Sequence, residues 1–127
     1  MTVQITIIGL GQVGASIGLA LASHKDSVVC VGHDKDFSIE RAAQQKGAVD
    51  KTEHNLPKAV QDARLVLLAL PVHQVREALE FIAPDLMPGT VVVDTSPIKS
   101  GVAIWAREIL PENCYYVGIV PTIAAEF

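Results

Sequence analysis

The chain has 127 residues, 50% of them hydrophobic and 19% charged, with 10 basic against 14 acidic side chains and a formal net charge of −4. That length suits one domain with a single core, and its wealth of branched apolar residues excludes a disordered chain. The acidic balance and the lack of any basic stripe exclude nucleic acid as the expected partner, because phosphates demand a basic footprint.

Strand and helix patterns alternate from end to end. Residues 3–8 are β-branched and almost unbroken, as in a strand covered on both faces. Val13, Ile17, Ala20 and Leu21 recur at helical spacing within 11–23. Residues 28–33 form a second apolar strand, and Ser38 is the expected N-cap of a short helix stopping at Gly47. A weak third strand falls around 49–53, and Pro57 opens a short helical turn. The run Leu65 to Leu70 is the strongest strand signal in the chain. An amphipathic helix follows Pro71, with Val75, Leu79, Ile82 and Leu86 on one face and Pro88-Gly89 as its breaker. A fifth strand starts at Val91, Ser96-Pro97 reads as N-cap and first residue of a helix ending near Leu110, and Tyr115 to Ile119 is a sixth strand.

This alternation predicts an α/β fold with a doubly wound, mainly parallel six-stranded sheet of the Rossmann type, occupying 1–127 as one dinucleotide-binding domain. Ligands of such sheets lie beyond the carboxyl ends of the strands. There Gly9-Leu10-Gly11-Gln12-Val13-Gly14 spells G-x-G-x-x-G between a strand and a helix, the context that gives the pattern meaning. Gly9 allows the tight turn, Gly11 lets the backbone approach a pyrophosphate, and Gly14 lets helix and strand pack closely. Asp34, 20 positions after Gly14, can accept hydrogen bonds from a ribose and repels a 2′-phosphate. NAD is therefore the expected cofactor, while Lys35 beside it could pair with such a phosphate and leaves NADP open.

Two cysteines, Cys30 and Cys114, are too few for a disulfide scaffold and lack metal-ligand spacing. His33 reads as a packing residue, His24 and His54 as plain surface residues, and His73 as a loop residue on the ligand side. With no carboxylate or cysteine at ligand spacing from these four, no metal is expected. Ser96 and Lys99 follow the fifth strand, where the nicotinamide end of a dinucleotide would come close. No charged n-region or long apolar stretch follows Met1, so a cytoplasmic protein without a signal peptide, membrane span or membrane partner is expected.

Several segments carry a family resemblance: Ile8 to Ser16, Val31 to Lys35, Leu68-Ala69-Leu70-Pro71-Val72, Met87-Pro88-Gly89 with Val93-Asp94-Thr95, and Tyr116-Val117-Gly118. The Ala-Leu-Pro-Val segment followed by Asp-Thr-Ser-Pro-Ile-Lys is the most specific. From Ile5 to about Gly118 the chain resembles the prephenate/arogenate dehydrogenases, NAD(P)-dependent enzymes of tyrosine biosynthesis. The resemblance implies oxidative decarboxylation of a small anionic substrate. It also implies a cofactor site of Gly9, Leu10, Gly11, Gln12, Val13, Gly14, Asp34, Lys35, Leu70, Pro71, Val72 and Thr95. Pro97 stands where the family usually has a serine, and Val120 where it carries a histidine that contacts the substrate hydroxyl, so no catalytic residue is assigned. The family's helical substrate and dimerisation domain is not among these residues, so the chain alone is expected to be inactive, and a homodimer is expected only through that further domain. Sequence alone also admits the cofactor domain of a β-hydroxyacid dehydrogenase or pyrroline-carboxylate reductase, or a non-catalytic NAD-binding regulatory module.

Overall fold

The computed structural model describes residues 2–96 and 99–120, the side chains of Lys99 and Ser100 excepted. The apolar runs form β1 (Val3–Ile8), β2 (Val28–His33), β3 (Lys51–Thr52), β4 (Leu65–Leu68), β5 (Val91–Asp94) and β6 (Tyr115–Gly118). Between them lie α1 (Gln12–Leu21), α2 (Phe37–Gln45), α3 (Leu56–Val60), α4 (Val72–Ile82) and α5 (Lys99–Ile109). The sheet order is β3-β2-β1-β4-β5-β6, and every neighbouring pair is parallel. The winding direction reverses between β1 and β4, which puts the crevice of a doubly wound sheet at their carboxyl ends.

Successive strand residues point to opposite faces, and both faces are apolar. Ile8, Leu68 and Val92 join Val60 of α3, Val75, Leu79 and Ile82 of α4, and Val102 of α5. Ile7, Leu67 and Val93 join Cys30 and Ala43 of α2 on the other side, with Ala15, Ile17 and Leu21 of α1 packed against them. Ile7, Leu68, Leu79 and Ile82 are fully buried, and burial of such a side chain stabilises by about 1.5–3 kcal/mol. The two strands from which the central turns emerge are thus the best anchored.

Local chemistry moves several boundaries. Asp36, rather than Ser38, caps α2: its Oδ1 accepts the Ser38 N–H at 2.8 Å and the Ser38 hydroxyl at 2.7 Å. A cap must stand outside the helix to reach its free N–H groups, and Ser38 is already inside. Gly47 does follow the helix end, with φ +82°. Asn55 caps α3 through the Lys58 N–H at 3.0 Å, and Pro57 takes the second helical position. The third strand shrinks to two residues. Helix α4 ends at Ile82, well before Pro88, because Pro84 in the following 3-10 turn has no N–H to continue the ladder. Leu86 still packs against the same cluster. The Pro97 half of the expected Ser96-Pro97 cap lies outside the described residues. No helix among the described residues is long and apolar enough to cross a membrane.

The bonds from Ser38, hydroxyl first and amide second, hold the Asp36 carboxyl below its ordinary value. A depressed folded-state pKa stabilises above the unfolded value and stops doing so as the pH falls through the folded one. Asp36→Ala is therefore expected to unfold at lower urea than wild type at neutral pH, with the gap closing in strongly acidic buffer. Paired urea titrations at the two pH values check this.

Candidate functional site

The turn from β1 into α1 is locked from two sides. Gly9 has φ +95°, and a Cβ there would strike the Ala69 carbonyl oxygen at the end of β4. A Cβ on Gly14 would strike the Gly9 carbonyl oxygen and come within 3.3 Å of the Ala69 Cβ. Ala69 is tied back in turn, donating its N–H to the Ile8 carbonyl at 2.8 Å. Gly11 differs: it is exposed, and a Cβ there would meet nothing within 4 Å. This open space lies in front of a helix with no side-chain cap and no acidic residue in its first turn. The unpaired N–H groups and the positive end of the α1 dipole are therefore available to an anion.

Asp34 follows β2 and is oriented by that same turn. Its Oδ2 accepts the Leu10 N–H at 2.9 Å and its Oδ1 the Asp36 N–H at 3.0 Å. A carboxylate has about four acceptor sites, so both oxygens can still take a ligand hydroxyl. Lys35 is exposed beside it.

Two cavities meet at the turn. The larger, about 960 Å³, includes Gly9, Gly11, Asp34, Lys35, Leu70 and Pro71 in its lining. The smaller, about 270 Å³, is bordered by Gly11, Gln12, Val13, Leu70, Pro71 and Thr95. Gly11, Leu70 and Pro71 belong to both, so one groove runs from Asp34 across the glycine turn to Thr95. Leu10, Gly14 and Val72 line neither cavity. Leu10 contributes its amide to Asp34, Gly14 its close packing, and Val72 a contact with the core.

At the β5 end, the Thr95 hydroxyl and N–H both donate to the Leu68 carbonyl, at 3.1 and 3.2 Å, stitching the ends of β4 and β5 together. Asp94 is fully buried and accepts the Ser96 N–H at 3.2 Å. Burial, then the Asp94 carboxylate beside it, pushes the Tyr116 phenol above its ordinary value. Val120 is 65% exposed, and the Ile119 N–H donates to the Asp94 carbonyl at 2.8 Å. The Lys99 side chain and Pro97 lie outside the described residues.

Two features escape sequence reasoning. The far wall of the larger cavity carries Leu56 and Pro57 from α3 and Gln74, Ala78 and Phe81 from α4. The available signal was Phe81, a large apolar residue, 58% exposed, that falls off the Val75–Leu79–Ile82 core stripe. His73 lines the same cavity from the first turn of α4, not from a loop.

The second feature corrects the reading of His54 as a plain surface residue and of the histidines as lacking a carboxylate partner. The His54 Nδ1 lies 2.9 Å from Oε2 of the buried Glu40, and its ring stacks on Phe37 at 3.6 Å. His33 packs as expected, its side chain 12% exposed, yet its Nδ1 also lies 3.8 Å from that oxygen. Chain spacing hid the cluster because its members come from β2, α2 and the loop after β3.

The family described as prephenate dehydrogenase, nucleotide-binding domain, matches residues 17–127. The prephenate dehydrogenase of Lactococcus lactis subsp. cremoris is 33% identical over 107 residues, covering 84% of this chain and 30% of that protein. The glycerol-3-phosphate dehydrogenase [NAD(P)+] of Photorhabdus laumondii subsp. laumondii is 32% identical, over 86% of this chain and 36% of that protein. Among solved structures, the prephenate dehydrogenase of A. aeolicus in complex with hydroxyphenyl propionate and NAD+ shares the fold. It superposes with a TM-score of 0.85 at 23% identity, over 98% of this chain and 43% of that one. The chain spans about a third of the length of the curated relatives it matches. With its parallel sheet, glycine turn and family match together, the chain belongs to the prephenate dehydrogenase nucleotide-binding domain family.

Proposed function

We propose that the chain binds NAD as the cofactor domain of a cytoplasmic prephenate- or arogenate-type dehydrogenase. The observation that carries this reading is the uncapped N-terminus of α1 facing open space at Gly11, midway along a groove that has Asp34 at one end and Thr95 at the other. In this reading the backbone at Gly9, Gly11, Gln12 and Val13 holds the pyrophosphate, with Leu10 and Gly14 fixing the turn. Asp34 takes the adenosine ribose beside Lys35, and its charge disfavours a 2′-phosphate. Leu70, Pro71 and Thr95 border the nicotinamide half, with Val72 supporting them from α4. When bound, NAD accepts the hydride removed from the substrate. The protein's part here is to fix that acceptor at the β4–β5 end, where the Thr95 bonds to Leu68 hold the strand ends rigid. The small anionic substrate, its oxidative decarboxylation and dimerisation through a further domain complete the proposal.

The free thiols of Cys30 and Cys114 suit a reducing compartment. A valine side chain carries no proton, so Val120 has no acid–base role. The family match does not favour a β-hydroxyacid dehydrogenase, a pyrroline-carboxylate reductase or a regulatory module.

Titration calorimetry with NAD and NADP tests the proposal. One NAD per chain is expected, bound more tightly than NADP. No heat from either dinucleotide at millimolar concentration would overturn the reading.

A further inference from the structure

We propose that His33, Glu40 and His54 form a binding site for a divalent cation of the zinc class on the wall of the larger cavity. One ligand atom from each of the three lies within 4.8 Å of the others. The Glu40 Oε2 stands 2.9 Å from the His54 Nδ1 and 3.8 Å from the His33 Nδ1. Tetrahedral zinc with bonds near 2.1 Å separates its donors by about 3.4 Å. These two separations straddle that value, and with all three donors within 4.8 Å of one another the site closes by side-chain adjustment that draws the two imidazoles together.

The donors also come already oriented. Glu40 has a side chain only 5% exposed, and its Oε2 accepts the Asp34 N–H at 3.0 Å. Phe37 stacks on the His54 ring at an interplanar angle of 17° and holds its plane. The two imidazole rings sit 5.5 Å apart, centre to centre. The His33 Nδ1 also lies 3.1 Å from the Glu53 carbonyl oxygen, a contact that fixes its ring and that it would exchange for the ion. A cation would then draw on one ligand atom from each of the three.

The donor chemistry selects the ion. Two imidazoles and one carboxylate suit zinc, cobalt or nickel, whereas magnesium and calcium favour oxygen ligands throughout. His33 and His54 both line the larger cavity, and the His54 side chain is 36% exposed, so an ion has a route in. Three protein ligands leave a coordination position for water or a ligand atom. Because Glu40 also carries the Asp34 amide, a bound ion would pin the end of β2 beside the proposed ribose carboxylate.

The test uses untagged chain stripped with a chelator and no dinucleotide, so its outcome is independent of NAD binding. Zinc is titrated calorimetrically, cobalt by visible absorption, and magnesium serves as the oxygen-preferring control. One zinc per chain, a cobalt band that zinc displaces, and no magnesium binding are expected. His54→Ala, at a partly exposed position, is expected to remove the band and weaken zinc by more than the ~10–100-fold typical of losing an outer-shell partner. Glu40→Gln, which keeps an acceptor for the Asp34 amide, should weaken zinc with the circular dichroism unchanged, and His24→Ala should bind as wild type does. Absence of saturable zinc binding, or zinc binding that survives His54→Ala, would overturn the proposal.

Discussion

Gly14→Ala is expected to destabilise the chain by about 3 kcal/mol or more in urea unfolding, at the upper end of overpacking costs. Gly11→Val should leave the midpoint nearly unchanged yet abolish NAD binding. Helix propensity alone predicts the opposite for Gly14, since alanine is favoured over glycine inside a helix by ~1 kcal/mol. The collision decides the sign. The atom that a Gly14 methyl meets is the backbone carbonyl oxygen of Gly9, and Gly9 is itself pressed against Ala69 and tied to the His33 carbonyl by its N–H at 2.9 Å. No flexible side-chain end is there to step aside. At Gly11 the added side chain enters open space, so the folded chain tolerates it. That space is what a pyrophosphate needs, and branched carbon there keeps the phosphates from the α1 N–H groups. Urea curves and NAD titrations on both variants separate the two roles. A stable Gly14→Ala chain would refute the packing account, and an NAD-binding Gly11→Val chain would refute the phosphate site.

Asp34→Ala is expected to weaken NAD by at least ~10–100-fold, the loss of one to two charge-assisted hydrogen bonds. It should also cost about 1–3 kcal/mol of stability, because the Leu10 and Asp36 amides lose their acceptor. Asp34→Ser removes the charge and keeps one polar atom, so it should narrow or reverse the preference for NAD over NADP. Calorimetric affinities of the three chains for both dinucleotides are the measurement. A wild-type chain that already prefers NADP would mean that Lys35 outweighs Asp34, and would remove the carboxylate from its assigned role.

How legible all this is in the sequence depends on the distance over which each feature is determined. The runs in β1 and β2 and the glycine turn are local patterns, and the structure places them where periodicity and spacing put them, while β4 starts as expected at Leu65 and stops at Leu68, two residues short of its apolar run. The doubly wound, parallel arrangement follows from the same alternation and from right-handed crossovers, whereas the order of the strands is seen only in the structure. Boundary errors arise where nearby residues compete for one task, two residues wide for Asp36 and Ser38 at the α2 cap and wider for Pro84 and Pro88 at the end of α4. The Glu40 cluster is beyond local reasoning altogether. His54 and Glu40 are 14 residues apart, on elements whose approach is set only when β2 and β3 pair. The groove is legible for a similar reason in reverse: its floor is one contiguous motif, whereas its far wall needs α3 and α4 docked before Leu56 and Phe81 face it.

The interlock of Gly9, Gly14 and Ala69 also constrains motion. With the β1–α1 turn keyed against the first residue after β4, neither can shift without the other, and both are hydrogen-bonded to the central strands. The groove floor thus has no low-energy hinge of its own, and the Gly9 and Ala69 amides, bonded to the His33 and Ile8 carbonyls, are expected to exchange only when the strands they tie together separate. Accommodation of ligands of different shape falls to the walls, to the half-exposed side chains of α3 and α4. Any adjustment to a ligand is therefore expected at the rim, while the glycine turn keeps one shape.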